Sequence, residues 1–254
     1  MLVEKIKNKE KTIATINQLS DISISRIFAL SGYDFIWIDM EHSYLSFEDV
    51  YSQILALRSA GAECIVRVPE NELTFTKKVL EMGVSGIIFP RVKTAKEAEK
   101  LISSTLYPPL GTRGFGPMGA NDFGLRPPFE YTKEAHREML RFIQIEDRET
   151  IENLDEIMQN EYIDGYIFGP NDLSGSYGML GEFCSDKITK IISDACDKLR
   201  AAGKYFGFAV GYSEESIAHW SKFKPDMLVT GADFDFVRDG AIENRKRLER
   251  LFKK

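Results

Sequence analysis

Three short apolar stretches of this sequence end in side chains that could bind a metal ion or transfer a proton. Each is typical of a β-strand because it is rich in β-branched and aromatic residues, and a strand needs no carboxylate at its tip for packing. In a barrel of parallel strands, active sites are built from the strand tips at one face. We therefore treat these tips as a candidate catalytic site. The stretches are Phe35–His42, Phe142–Glu146 and Tyr166–Ser174.

Glu146 and Asp172 are candidate ligands for a divalent cation. They follow neighbouring strands in the predicted order, so their carboxylates can converge at one edge of the sheet. Two carboxylates with water molecules suit a hard, six-coordinate ion such as Mg2+ or Mn2+, and substrate oxygens would fill the open positions. The alternative is that each carboxylate caps the helix that follows it. For one residue alone we would favour the cap, but their occurrence at adjacent tips favours the metal site.

Arg67 and His42 are candidate catalytic side chains. Arg67 ends an apolar strand, where a guanidinium must find an anionic or oxygen partner. It suits a ligand carboxylate or a developing enolate, and the alternative is a structural bridge to Glu41 or Glu146. His42 follows Asp39 by three residues, so Asp39 could orient its ring. An oriented histidine near a metal is a reasonable general base or proton shuttle, and the alternative is a loop histidine without a catalytic role.

Nucleophilic and Schiff-base catalysis find no support in the sequence. It has no G-x-S-x-G motif of the kind that presents a nucleophilic serine, and Cys64 lies within an apolar strand, where it is typical of a core residue. A Schiff base needs a lysine in the mouth of the barrel, and none of the predicted strands ends in lysine. These observations favour metal-assisted chemistry.

Strand-like and helix-like segments alternate along the chain. Capping patterns mark helix starts at Ser46 and Thr94, and Gly61, Gly83 and Gly203 stand where helices should end. Eight strands alternating with eight helices, without a G-x-G-x-x-G after the first strand, predict an α/β fold of the (β/α)8 TIM-barrel type. The predicted strands are 12–15, 35–40, 63–68, 86–90, 141–146, 165–169, 205–210 and 227–230, and the predicted helices are 22–31, 47–60, 72–82, 94–104, 148–159, 187–202, 213–221 and 234–252.

Length and composition exclude several classes of protein. The 254 residues, 43% of them hydrophobic, suit one (β/α)8 domain over residues 1–254. The net charge of −6, with no Lys/Arg cluster outside Asn244–Lys254, argues against nucleic-acid binding. No apolar run approaches the roughly 20 residues that span a bilayer, and three scattered cysteines argue against a disulfide framework. We therefore expect a cytoplasmic protein without a nucleic-acid or membrane partner.

The motifs at the strand tips resemble the HpcH/HpaI aldolase family, the class II, metal-dependent pyruvate aldolases that include 4-hydroxy-2-oxoheptanedioate and 2-keto-3-deoxy-sugar-acid aldolases. Asp-x-Glu-His and Gly-Pro-x-Asp-Leu-Ser are specific in combination. The resemblance implies a TIM barrel of the phosphoenolpyruvate/pyruvate-superfamily type. It also implies reversible cleavage of a 4-hydroxy-2-oxo acid to pyruvate, or a close 2-oxo acid, and an aldehyde. The matching segments are 32–42, 86–90, 107–114, 144–146 and 169–174.

The resemblance also implies roles for individual residues. Glu146 and Asp172 would bind a divalent cation, Mg2+ or Mn2+, with Co2+ as a further possibility. Arg67 would hold the pyruvate oxygen, and His42 with Asp39 would transfer protons. Family members are typically hexamers, often with the last helix packed on a neighbouring barrel, so we expect a homo-oligomer (a hexamer or a trimer of dimers) in which helix 234–252 packs on a neighbouring subunit. The substrate-binding positions would be Arg67, Gln144, Gly169, Pro170 and Asn171.

The connection from Ser103 to Phe142 is much longer than the others, and connections of this length form lids, binding loops or subunit contacts. Many family members carry an arginine where this chain has Gly119, and the next arginine here is Arg126. That difference bears on whether an acidic substrate tail is recognised by this loop.

Two other functions remain open. One is a citramalyl-CoA/citrate-lyase-like carbon–carbon lyase, and the other is a barrel that binds a 2-oxo acid without catalysis.

Overall fold

The computed structural model describes residues 1–253 and contains a closed barrel of parallel strands, which confirms the predicted fold class. Each strand pairs with the next one in the chain, and β1 closes the barrel against β8. Because all the pairings are parallel, the carboxyl ends of the strands meet at one end of the barrel. The strands are β1 Thr12–Asn17, β2 Phe35–Asp39, β3 Cys64–Arg67, β4 Gly86–Phe89, β5 Leu140–Ile145, β6 Gly165–Phe168, β7 Phe206–Val210 and β8 Met227–Ala232.

Helices connect the strands and pack on the outside of the barrel, as right-handed βαβ connections require. A short 3-10 helix, Gly119–Gly124, lies in the long connection before β5. The α-helices are α1 Leu2–Lys7, α2 Ile22–Leu30, α3 Phe47–Ser59, α4 Leu73–Glu81, α5 Ala95–Ser103, α6 Pro128–Glu138, α7 Arg148–Glu152, α8 Leu154–Ile157, α9 Pro170–Ser176, α10 Asp186–Ala201, α11 Glu214–Ser221 and α12 Asp233–Phe252.

Local signals in the sequence account for several helix ends. Ser46 and Thr94 each accept a hydrogen bond from the third helical residue, which forms a capping box at the start of α3 and α5. The helices α3, α4 and α10 end within two residues of the predicted stops at Gly61, Gly83 and Gly203. Gly61 has a φ of +75°, a conformation that favours glycine. These predicted boundaries are confirmed.

Other elements differ from the sequence prediction. The predicted helix 148–159 is divided into α7 and α8 at Asn153, whose side-chain amide donates to the carbonyl oxygens of Lys93 and Glu149 and so competes with the helical pattern. The helices α1 and α6 and the 3-10 helix were not predicted. The helix α9 is also absent from the predicted helices, and it begins at Pro170, which is favoured in the first turn of a helix.

The apolar core has two parts on opposite faces of the sheet. The larger part lies between the strands and the surrounding helices, and it includes Ile38, Val66 and Phe168. The smaller part joins α1 to side chains such as Phe35 and Leu140, which begin their strands. The helix α1 therefore covers the amino-terminal end of the barrel, and the carboxyl ends of the strands remain as the accessible end. No helix within residues 1–253 is long and apolar enough to cross a membrane.

Candidate active site

Asp39 and Arg67 form a buried ion pair at the tips of β2 and β3. The two residues are register partners at the ends of adjacent strands. Arg67 donates from Nε to Asp39 Oδ1 at 2.8 Å and from Nη2 to Oδ2 at 2.6 Å, and the two side chains are 7% and 0% exposed. Burial alone would raise the pKa of Asp39, but the paired guanidinium outweighs burial and lowers this pKa below its usual value. The pair is therefore ionised at neutral pH.

Arg67 makes further contacts that hold its guanidinium plane. Nη1 lies 2.7 Å from Glu41 Oε2 and donates to the side-chain oxygen of Gln144 at 3.3 Å. The guanidinium carbon lies 5.1 Å from the centre of the Trp37 ring, within cation–π range. The bridge to Glu41 that was considered from the sequence is thus present, and Asp39 adds a second one. Contacts from β2, from Glu41 directly after it and from β5 therefore orient this cation before any substrate binds.

His42 lies beside Glu41, and the expected contact between its ring and Asp39 is corrected by the structure. The Nε2 atom of His42 is 3.8 Å from Glu41 Oε2, and the side chain is 57% exposed. Asp39 reaches only the backbone of this segment, because Oδ1 accepts from the N–H groups of Glu41 at 3.0 Å and His42 at 3.4 Å. Arg67 and Gln18 contact the Asp39 oxygens instead. Any orientation of the His42 ring therefore depends on Glu41.

Glu146 follows β5 directly and is nearly fully buried. Its Oε1 accepts from the backbone N–H of Arg91 at 2.7 Å, and its Oε2 accepts from the side-chain amide of Gln144. It does not cap the next helix, because Asp147 does so. Burial, together with the negative charge of Glu41, raises the pKa of Glu146 to about 7. The side chain is therefore held in place by two donors, and within residues 1–253 no cation donates a hydrogen bond to it.

Gln144 connects the cation and the carboxylate of the site. Its amide oxygen accepts from Arg67, and its amide nitrogen donates to Glu146. A primary amide can accept from the first group and donate to the second at the same time, because it carries an acceptor oxygen and a donor nitrogen. Gln144 therefore supports both residues, which is consistent with its expected place in the site.

Asp172 lies in the first turn of α9 and lines the same cavity as Glu146, with a volume of about 250 Å3. The segment between β6 and α9 passes very close to the site. A Cβ added at Gly169 would lie 3.1 Å from Gln144 Nε2 and 3.2 Å from Glu146 Oε2. Pro170 is buried, whereas Asn171 is exposed and its carbonyl oxygen accepts from a serine of the same helix. The structure thus brings Glu146, Asp172 and Gly169 together, as the parallel strand order predicted.

The arrangement of carboxylates suits a hard divalent cation. Within residues 1–253 no group of three or more His, Cys, Asp or Glu side chains is placed to hold a metal ion. Glu146 and Asp172 line one cavity, and they would provide two protein ligands for such a cation, with water and substrate oxygens completing six-fold coordination. The pKa of Glu41 is also raised, mainly by burial and further by the charges of Asp39 and Asp172. A bound cation would stabilise carboxylates that burial and mutual repulsion disfavour.

Sequence reasoning missed three contributions to the site. The Asp39–Arg67 pair could have been predicted, because an acid and a base end consecutive apolar strands. The sequence analysis instead paired Asp39 with His42, and Arg67 with a ligand or with Glu41 or Glu146. Gln18, which donates to Asp39 Oδ2 at 2.7 Å and to the backbone oxygen of His42 at 3.0 Å, had only its position after β1. Arg91 had no signal, since its N–H reaches Glu146 through a left-handed backbone with a φ of +49°.

Comparison with known proteins identifies the class that this fold and site define. The family model for HpcH/HpaI aldolase/citrate lyase matches residues 17–221. The protein is therefore a carbon–carbon lyase, and the chain belongs to the HpcH/HpaI aldolase/citrate lyase family. The resemblance seen in the strand-tip motifs is confirmed.

Individual relatives agree with this assignment. A 2-keto-3-deoxy-L-rhamnonate aldolase from Klebsiella pneumoniae is 36% identical over 185 residues, which are 73% of this chain and 69% of that protein. The crystal structure of an HpcH/HpaI aldolase/citrate lyase family protein from Burkholderia cenocepacia J2315 superposes with a TM-score of 0.92 at 25% identity, over 98% of each chain. The crystal structure of the citrate synthase SbnG superposes with a TM-score of 0.87 at 26% identity, over 100% of each chain.

Proposed function

We propose that the protein is a divalent-metal-dependent aldolase that reversibly cleaves a 4-hydroxy-2-oxo acid to pyruvate, or a close 2-oxo acid, and an aldehyde. The observation that carries the proposal is that Glu146 and Asp172 line one cavity while Gln144 joins Glu146 to the buried cation Arg67. The relatives named 2-keto-3-deoxy-L-rhamnonate aldolase support a 2-keto-3-deoxy acid as the substrate class.

Each charged residue has a defined task in this reaction. When bound to Glu146 and Asp172, a divalent cation supplies Lewis-acid polarisation of the 2-oxo group, and Mg2+ or Mn2+, with Co2+ as a third candidate, suits the oxygen ligands. Arg67 stabilises the oxygen that becomes negative when the carbon–carbon bond breaks. Because Asp39 and Glu41 already hold the guanidinium, Arg67 needs little reorganisation as that charge develops.

We assign proton transfer in this reaction to His42. Cleavage requires a base that removes the proton of the 4-hydroxyl group, and the resulting enolate must then be protonated at carbon. The His42 ring is more than half exposed, so water and substrate can reach it, and its Nε2 atom lies 3.8 Å from Glu41 Oε2. Asp39 then serves catalysis indirectly, as a positioning residue for Arg67.

The first test is deuterium exchange at the methyl group of pyruvate, followed by NMR in D2O. The protein is incubated with Mg2+ or Mn2+, and the metal is removed before the spectrum is recorded. We expect exchange that requires the metal and stops with EDTA, because enolate formation is half of the aldol reaction. Absence of both exchange and aldol addition, with each divalent cation and a panel of aldehydes, would contradict the proposal.

A second test separates the metal ligand from its surroundings. Glu146→Gln keeps the size of the side chain and removes its charge, so we expect Mn2+ affinity and pyruvate exchange to fall together by about 100-fold or more. Glu149→Gln is the matched control, because Glu149 is exposed and binds Lys93 outside the cavity. Titration calorimetry with Mn2+ measures the affinity. Unchanged affinity in Glu146→Gln would exclude Glu146 as a ligand.

Two other functions use the same barrel. The likeness to a citrate synthase structure supports a citrate-lyase-like or citramalyl-CoA-like carbon–carbon lyase as the second candidate. The third is a barrel that binds a 2-oxo acid without turnover. Turnover of a thioester without aldol activity would favour the second candidate, and pyruvate binding without exchange would favour the third.

We further propose that the chain is one barrel domain whose α12 packs on a neighbouring subunit of a homo-oligomer, a hexamer or a trimer of dimers. Asp233 is the only buried residue of this helix, while Val237 is 57%, Leu248 is 56% and Leu251 is 72% exposed. Burying such a face in a partner would be favourable. Leu248→Glu should lower the mass observed by sedimentation, whereas an unchanged mass would contradict this role. The cytoplasmic location and the absence of a nucleic-acid partner stay predictions.

A further inference from the structure

Arg91 is a cation at the mouth of the candidate site that the reaction described above does not use. Its backbone N–H holds Glu146, and its side chain lines the cavity that contains Glu146 and Asp172. The side chain is 64% exposed. With a φ of +49°, the residue adopts a left-handed conformation that L-amino acids rarely take. The backbone of Arg91 thus donates to the Glu146 carboxylate, while its guanidinium faces the space into which a substrate bound there would extend.

The charge of Arg91 is poorly compensated within the described residues. The nearest carboxylate oxygen is Asp147 Oδ2, at 3.9 Å, and within residues 1–253 the guanidinium donates no hydrogen bond to it. Asp147 lies closer to another cation, because the same oxygen is 3.3 Å from Lys93 Nζ. Lys93 in turn is paired with Glu149 at 3.1 Å. The guanidinium of Arg91 therefore keeps its donors for a ligand.

None of the arginines in the long connection lines the cavity of Glu146 and Asp172. Arg126 is held by two hydrogen bonds to Glu138, at 2.6 and 2.7 Å. Gly119 packs against the end of α4, and a Cβ there would lie 3.0 Å from the carbonyl oxygen of Met82. Neither residue lines the cavity of Glu146 and Asp172. Arg91 is therefore the arginine that this chain places at the cavity.

We propose that Arg91 determines specificity for the aldehyde half of the substrate and selects an aldehyde that carries a carboxylate. This inference rests on the proposed aldolase function. A carboxylate presents two coplanar oxygens that match the fork of a guanidinium, whereas a hydroxyl offers a single acceptor. Leu180 and Gly175 also line the cavity, and they offer an apolar, uncrowded wall for a short methylene spacer. A volume of about 250 Å3 suits a small acid rather than a bulky ligand.

The test runs the reaction in the direction of addition. The methyl carbon of pyruvate loses a proton and bonds to the aldehyde carbon, and the aldehyde oxygen takes up a proton, so no other reactant is required. The aldehydes are 4-oxobutanoate, its neutral methyl ester and the neutral, hydroxylated glyceraldehyde. For each one, kcat/KM is measured with the metal-loaded enzyme, and the readout is the ratio of the value for 4-oxobutanoate to that for the methyl ester.

Arg91→Gln is the main variant, because it retains a Cβ and the backbone N–H that Glu146 accepts from. We expect the ratio to fall about tenfold or more, mainly through KM for the anionic aldehyde, since a charge-assisted contact in a partly exposed site is lost. Arg91→Lys should recover part of the ratio, because lysine restores the charge without the fork. Arg148→Gln is the matched control, because Arg148 is similarly exposed and pairs with Glu152 outside the cavity, and it should leave the ratio near that of the wild type.

The outcomes separate this inference from the proposed function. If the wild-type protein shows neither pyruvate exchange nor addition to any aldehyde, the aldolase proposal fails and the inference fails with it. If addition occurs but Arg91→Gln leaves the ratio unchanged, Arg91 does not select the aldehyde. A fall of equal size for 4-oxobutanoate, its methyl ester and glyceraldehyde would show a general effect on the site and would overturn carboxylate selection.

Discussion

Replacing Asp39 by Asn tests whether this residue holds Arg67 or orients His42. The side chains of Asp39 and Arg67 are 0% and 7% exposed and share two hydrogen bonds. Removing one partner of a buried ion pair costs about 3–5 kcal/mol, because the other charge is left uncompensated. Asn keeps one acceptor, and Glu41 stays 2.7 Å from Arg67. We therefore expect the free energy of unfolding to fall by about 3 kcal/mol, the lower end of this range. At about 2–4 °C per kcal/mol, Tm should fall by roughly 6–12 °C.

The pH dependence provides an independent check on the same pair. The pKa of Asp39 in the folded protein lies below its value in the unfolded chain, mainly because Arg67 outweighs the effect of burial. A depressed pKa contributes stability above the unfolded pKa of about 3.9 and loses it as the pH falls through the folded value. The difference in unfolding free energy between wild type and Asp39→Asn should therefore stay constant from about pH 5 to 8 and narrow below about pH 4.

Urea unfolding with and without divalent metal measures these free energies, and pyruvate exchange measures activity. We expect exchange to fall at least about 100-fold, since the direction of the Arg67 fork changes. Asp122→Asn is the control, because its bridge to Arg58 joins side chains that are 60% and 43% exposed and should contribute less than about 1 kcal/mol. An Asp39→Asn protein within about 1 kcal/mol of wild type at pH 7 would refute the reasoning, since a residue that only orients His42 need not stabilise the fold.

Two further predictions concern positions where space or burial decides the result. Gly169→Ala should lower pyruvate exchange about tenfold, because the new Cβ would lie 3.1 Å from Gln144 Nε2 and disturb its contact with Glu146. Gly240→Ala is the control, because a Cβ there meets no atom within 4 Å. Equal activities of the two variants would contradict the close approach at Gly169. In the native protein, a thiol reagent should react quickly with only one cysteine, the exposed Cys184, and rapid reaction of all three thiols would contradict the packing. Burial raises the pKa of the other two thiols to about 12, and these are Cys64 and Cys196.

The sequence was most informative where a signal is local. The capping boxes at Ser46 and Thr94 depend on residues three positions apart, so the pattern predicts the helix start without knowledge of the fold. The longer connection was less predictable, because the 3-10 helix in it contains Asp122 and Phe123 with φ values of +52° and +56°. Such conformations are rare for residues other than glycine, and tertiary contacts such as the bridge from Arg58 to Asp122 help to hold them.

The candidate site shows the same division. Glu146 and Asp172 could be placed together from the order of the strands, since a parallel barrel brings consecutive tips to one end. The partners of Asp39 could not be assigned in this way. Asp39 is near His42 in the chain but lies opposite Arg67 in the barrel, and the longer-range contact prevails because it pairs two buried charges. Distance along the chain favoured the wrong partner.

By itself, the sequence determined that apolar strands alternate with helices, that a (β/α)8 barrel results, and that carboxylates, a histidine and an arginine stand at the strand tips. These properties follow from side-chain periodicity and from short-range caps and stops, which act within a few residues. Only the tertiary structure decided which charges pair, that Gln144 joins Arg67 to Glu146, and that Arg91 supports Glu146 through its backbone while its side chain lines the cavity. Those contacts depend on strand register, on side-chain conformations and on one left-handed backbone position, and each of them is set by packing between segments far apart in the chain.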